Sequence, residues 1–192
     1  MKEKNTVRKI VLGAMFLSIG IVLPFFTGQI PQVGSMLLPM HIPVLLCGLI
    51  CGWKYGLAVG FILPIMRSAL FIMPPMFPTA VAMAFELAAY GFISGFMYQN
   101  ARWHCIKSLY RCVLAAMVGG RIVWGTAMVL LTGIGENGFT FAAFLAGAFI
   151  NAVPGIILQL VFIPAVMLAL DKTHLVPFGK NKKAVLKKET EI

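Results

Sequence analysis

The chain has 192 residues, 60% of them hydrophobic and 11% charged, with a formal net charge of +10 and a mean hydropathy of +0.92. This excludes a soluble domain, whose surface takes roughly a quarter of its residues as charges. A membrane crossing needs roughly 20 mainly apolar residues for ~30 Å of hydrocarbon, so the chain has room for about six crossings and no separate soluble domain.

In chain order, apolar runs and their breakers place spans at about 9–26, 36–52, 55–73, 77–98, 110–132 and 141–170. The first run has a basic start, but IVLPFFTGQIPQ offers no small-x-small cleavage site, so it is expected to stay as a span rather than leave as a signal peptide. Gly28 to Ser35 is a polar, uncharged connection. GWKYG is a tight glycine turn, MPPMFP a proline turn, QNARWHCIKS a charged connection and TGIGENGFT a run of turn formers. The expected architecture is an all-α integral membrane protein, with a six-helix transmembrane domain over 1–175 and a basic tail over 176–192.

Charge orients the spans. Lys2, Lys4, Arg8 and Lys9 precede the first, Lys54 sits in the second connection, and Arg102, Lys107 and Arg111 mark the fourth; Lys172, Lys180, Lys182, Lys183, Lys187 and Lys188 lie at the tail. The other three connections have neither Lys nor Arg, so the positive-inside rule puts both termini in the cytoplasm. The tail lysines also suit contact with anionic lipid. Basic residues scattered at segment ends, without interleaved aromatics, do not form a nucleic-acid stripe. Cys47, Cys51, Cys105 and Cys112 lack CxxC spacing and read as small hydrophobes without a disulfide.

Of the sixteen Lys and Arg, all but Arg67 and Arg121 lie in the cytoplasmic segments or at their borders, and Glu86 joins those two at membrane depth. Measured from the outer ends at ~1.5 Å per residue, they lie ~9, ~17 and ~14 Å deep, which allows all three to meet between the outer half and the midplane. An unpaired charge at a helix centre costs about 2.5 to 3.5 kcal/mol, so each is expected to face a partner or a watery cavity. Two readings stand. Glu86 forms a structural ion pair with Arg121 or Arg67, or one Arg awaits a ligand anion, for which a guanidinium offers a bidentate fork. His41 and Asn151 add polar groups in the same band, each either an interhelical bond or a ligand contact, and Gln159 lies deeper. Among nearby aromatics, Trp124 stands one turn from Arg121 and is the candidate for an apolar pocket wall.

Catalysis finds no support. His41, His104 and His174 do not cluster with carboxylates as a zinc site requires, no GxSxG surrounds a serine, and no Walker A loop is present. No cofactor or metal is expected, and any ATP-driven step needs another subunit. On the first span, Ala14 and Ser18 are four apart, a small-residue step that lets another helix approach closely.

The run LPMHIPVLLCGLICGWKYGLAVGF (38–61), the run RSALFIMPPMFPTAVAMAFELAAYGFISG (67–95) and the Ala14-Met-Phe-Leu-Ser18 step resemble the substrate-binding S component of an energy-coupling-factor (ECF) vitamin transporter, over nearly the whole chain. The resemblance implies a prokaryotic plasma-membrane subunit that captures a vitamin with high affinity. It would dock on a transmembrane coupling subunit bearing two ABC-type ATPases, then tip to carry its pocket to the cytoplasmic side. It further implies that Gly28 to Ser35 acts as a lid, that Arg67, Glu86, Arg121 and Asn151 line the pocket, and that Ala14 and Ser18 form the docking step, with Ser18 where the family has a second alanine. Two arginines and a glutamate favour a ligand with a carboxylate or phosphate plus hydroxyl or amide groups. Pantothenate fits first, with riboflavin, folate, niacin and a thiamine precursor behind it. The rival classes are a self-sufficient secondary transporter of a small anion, for which no internal repeat is found, and a membrane scaffold using the same charges as structural pairs.

Overall fold

The computed structural model describes residues 2–27, 38–101, 105–133, 140, 144–147 and 152–172. Regular structure within them is helical: α1 (Lys2–Val22), α2 (His41–Cys51), α3 (Trp53–Phe71), α4 (Val81–Asn100), α5 (Ile106–Thr132) and α6 (Val153–Lys172). A short 3-10 turn extends α1 and a π-type turn over Met76–Ala80 leads into α4.

Among the described residues, five helices are long and apolar enough to cross a membrane, from Thr6–Phe25 to Val153–Asp171. The expected second span is not among them. It is the 11-residue α2, about 16 Å long and too short to cross alone. Every residue of α2 except Ile50 is buried, so its all-round apolarity belongs to a core helix rather than to a lipid-facing one. Its limits are local: Leu38 at φ 50° precedes Pro39, and Gly52 at φ 101° closes the helix with its N–H on the Gly48 carbonyl, a conformation that costs glycine nothing. The sixth expected span also differs. Residues 144–147 are helical, and the helix that runs to Lys172 starts at Val153, with Pro154 in the first turn where a missing N–H is harmless.

α4 is the central helix, packed on α2, α3 and α5. Glycines set its approach to α2 and α3. A methyl added at Gly95 would stand 2.6 Å from the Trp53 nitrogen and 2.7 Å from the Gly48 carbonyl oxygen, and one at Gly56 would stand 2.7 Å from the Gly91 carbonyl oxygen. These backbones touch directly, the small-residue contact that holds helices together where lipid removes the hydrophobic drive. α6 lies against α5 and α2.

The charged groups distinguish the two ends of the bundle. At one end Cys51 feels the charges of Arg8 and Lys9, and Tyr98 feels Asp171 together with Cys105 and Cys112; at the other, Arg67 reaches Ile21. The start of α1 and the close of α6 therefore share one end, the end that carries the basic residues. Cys47, Cys51 and Cys112 are buried free thiols and Cys105 is an exposed one.

Candidate functional site

Three helices bring a polar cluster into the core. Glu86 on α4 is 2% exposed, Arg121 on α5 is 5% exposed, and His41, the first residue of α2, is 1% exposed. Glu86 Oε1 accepts from Arg121 Nη1 at 2.8 Å and lies 3.3 Å from His41 Nε2. Neighbouring residues pack tightly around them. Tyr90, one turn after Glu86, packs edge-to-face on His41 with ring centroids 4.8 Å apart. Gly120 leaves room for that ring, because a Cβ there would collide with Tyr90. Arg121 and His41 thus converge on one and the same carboxylate oxygen.

The Glu86–Arg121 pair cancels two charges that would otherwise be prohibitive in hydrocarbon. It does so with one of the three guanidinium nitrogens. Arg121 Nε and Nη2 are buried without a hydrogen-bond partner among the described residues, and so is His41 Nδ1. A buried polar group left unpaired costs about 1–3 kcal/mol, more when charged. Nε and Nη2 form the side-on fork, the edge whose two parallel N–H bonds match a carboxylate or a phosphate.

Arg67 is not part of this ion pair: among the described residues no salt bridge links it to Glu86. Arg67, 4% exposed, donates from Nη1 to the Ile21 carbonyl at 2.7 Å, and its guanidinium lies over the rings of Phe25 and Phe71 at 5.4 and 5.5 Å. Those rings meet edge-to-face at 4.9 Å. A cation on the last turn of α1 is favoured by the helix dipole and by the aromatic faces, so this charge is compensated by backbone and rings rather than by a carboxylate.

Trp124 is half-buried and stacks on Phe144, centroids 6.2 Å apart; Gly125 and Gly147 leave the space in which those two rings lie. Asn151 and the Gly28 to Ser35 connection lie outside the described residues. Ala14 and Ser18 both sit on the exposed face of α1, with Ser18 Oγ turned back to the Ala14 carbonyl at 3.0 Å. Two side chains stand out that the charge pattern did not single out as site residues. Tyr90 is fully buried against His41, and Gln159 on α6 is fully buried with both amide atoms unpartnered.

Long apolar helices around a short buried one, with an ionic cluster in the core, define a multi-pass membrane protein with polar groups held at membrane depth. The chain belongs to the substrate-specific components of ECF transporters, whose family model matches residues 8–167. It is thus a substrate-specific transport subunit rather than an enzyme. No curated protein and no solved structure matches it.

Proposed function

We propose that this subunit captures a small anionic vitamin-like solute from outside a prokaryotic plasma membrane and passes it inward together with a transmembrane coupling subunit and two ABC-type ATPases. The observation that carries this reading is the free side-on fork of Arg121, Nε and Nη2, buried beside a Glu86 contact that uses Nη1 alone. A purely structural Arg–carboxylate bridge favours two parallel bonds. Glu86 here is a positioning residue: it fixes the guanidinium and leaves the fork to a ligand carboxylate or phosphate. His41 Nε2 meets the same Glu86 oxygen and leaves Nδ1 to offer.

Trp124 and Asn151 complete the proposed pocket, Trp124 as an aromatic wall and Asn151 as a neutral hydrogen-bonding group. Arg67 acts at its margin by holding the outer end of α1, from which the Gly28 to Ser35 lid departs. Pantothenate is the leading candidate, since it joins a carboxylate to an amide and hydroxyls. The exposed Ala14–Ser18 step is the proposed docking face for the coupling subunit, and both termini are placed in the cytoplasm by the charge rule.

The test is to purify the protein in detergent from cells grown in rich medium, identify by mass spectrometry the compounds released on denaturation, and titrate pantothenate into emptied protein. A stoichiometric anion lost in Arg121→Ala supports the reading, and pantothenate binding names the solute. Protein without any released anion, and equally stable as Arg121→Leu with Glu86→Leu, favours the scaffold. Solute accumulation by this chain alone under an ion gradient favours the secondary transporter.

A further inference from the structure

The inward stripe of α6 runs through Gly155, Gln159, Ile163 and Met167, all buried. Gln159 is the polar residue in it. Its relative exposure is zero, and neither Nε2 nor Oε1 has a hydrogen-bond partner among the described residues. A side-chain amide commonly settles such a position by bonding a nearby carbonyl, and this one does not. An apolar residue of similar size would pack there without leaving a donor and an acceptor unpaired.

Its neighbours explain the position. α6 packs on α5 and α2, the helices that carry Arg121 and His41. Tyr98 feels Asp171, so α4, α5 and α6 share an end. Measured from that end at about 1.5 Å per residue, Glu86, Arg121 and Gln159 all stand about 19–23 Å along their helices. At one level of the bundle, then, α5 contributes an unpaired cationic fork, α2 an unpaired ring nitrogen and α6 an unpaired amide.

We infer that Gln159 is a specificity-determining residue of the same site, its amide reading a neutral hydroxyl or amide of the ligand while Arg121 takes the ligand's anionic group. This rests on the proposed binding function and adds to it the residue that reads the ligand's neutral group. The fork supplies attraction that any small anion shares, and the amide supplies discrimination. A site built to bond a polar group rejects analogues lacking it much more strongly than an apolar pocket rejects a missing methylene.

The probe is the small-molecule pool of a rich growth medium. Wild type, Gln159→Leu, Gln159→Met and Arg121→Ala are purified in detergent, their released compounds identified, and the wild-type compound titrated into emptied protein. Melting temperatures are recorded for each emptied variant. The expected result is a hydroxyl- or amide-bearing anion from wild type, affinity weakened at least ~tenfold in both Gln159 variants, and melting temperatures of those variants equal to or above wild type. A structural glutamine would give the opposite pattern, lower melting with affinity kept, and would overturn the assignment. So would unchanged affinity and stability. If Gln159→Leu does not fold, Gln159→Met, which keeps the length of the side chain, decides by the same two readouts. Wild type that releases nothing overturns the binding reading itself, and with it the role of Gln159; a loaded wild type with an equally loaded Gln159→Leu overturns the role of Gln159 alone.

Discussion

Arg67 and Arg121 are equally buried, at 4% and 5% exposure, yet they sit in opposite situations. Arg67 is held by a helix-terminal carbonyl between two aromatic faces. Arg121 is pinned by one nitrogen to Glu86 and keeps two donors unpaired. The difference teaches that a charge at membrane depth need not be a binding group. Both guanidiniums bond through Nη1; what separates them is that Arg67 meets a backbone carbonyl under two rings, whereas Arg121 meets a carboxylate and keeps Nε and Nη2 buried and unpaired.

The largest effect is expected at the partner of Arg121. Glu86→Ala leaves the guanidinium buried without a counter-charge, and thermal unfolding in detergent should register a loss of about 3–5 kcal/mol. Replacing both members, Glu86→Leu with Arg121→Leu, should restore most of that stability while binding stays absent; a double variant no more stable than Glu86→Ala would argue that the pair does not act as a unit.

Next comes Arg121 itself. Arg121→Ala should weaken ligand binding by about 100-fold or more, corresponding to roughly 3 kcal/mol, in a calorimetric titration. Arg121→Lys should recover little of it, because an ammonium keeps the charge but has no fork. Full rescue by lysine would mean that charge alone is read.

Arg67→Ala should lower stability by about 2 kcal/mol through the lost cap on α1, with ligand affinity altered much less than by Arg121→Ala. Unchanged melting with lost binding would reverse the comparison. The smallest effect is expected for Ser18→Ala: Ser18 Oγ bonds its own helix at an exposed position, so stability should change by within about 0.5 kcal/mol and ligand binding should not change. Loss of coupling-subunit capture in Ala14→Leu, with Ser18→Ala unaffected, would tie the docking face to small side chains rather than to the hydroxyl.

Much of this was legible in the residues. Glu86, Arg67 and Arg121 are visible as charges inside apolar runs, and the cost of burying them already demands partners. The choice of partner was not legible: Arg67 and Arg121 are alike in chemistry, both stand within reach of Glu86 by depth, and the contact made by Ile21 involves a backbone carbonyl, which leaves no trace in side-chain identity. Gln159 shows the same limit. Hydropathy marks it as polar in an apolar helix, but its value lies in facing inward with nothing to bond. Tyr90 read as ordinary packing because an aromatic in a membrane helix is common, whereas its contact with His41 depends on the space left by Gly120.

The sequence by itself determined that the chain lives in a membrane, which end is basic, and which few polar groups are too costly to stand alone, because composition and transfer energies are properties of residues. Tertiary structure decided that α2 is a short helix buried in the core, that Glu86 selects Arg121 and His41, and that Gln159 stands at their level. Each of those depends on helix rotation and on backbone approach through Gly48, Gly56, Gly91 and Gly95, and such packing is settled by all the helices together rather than by any one segment.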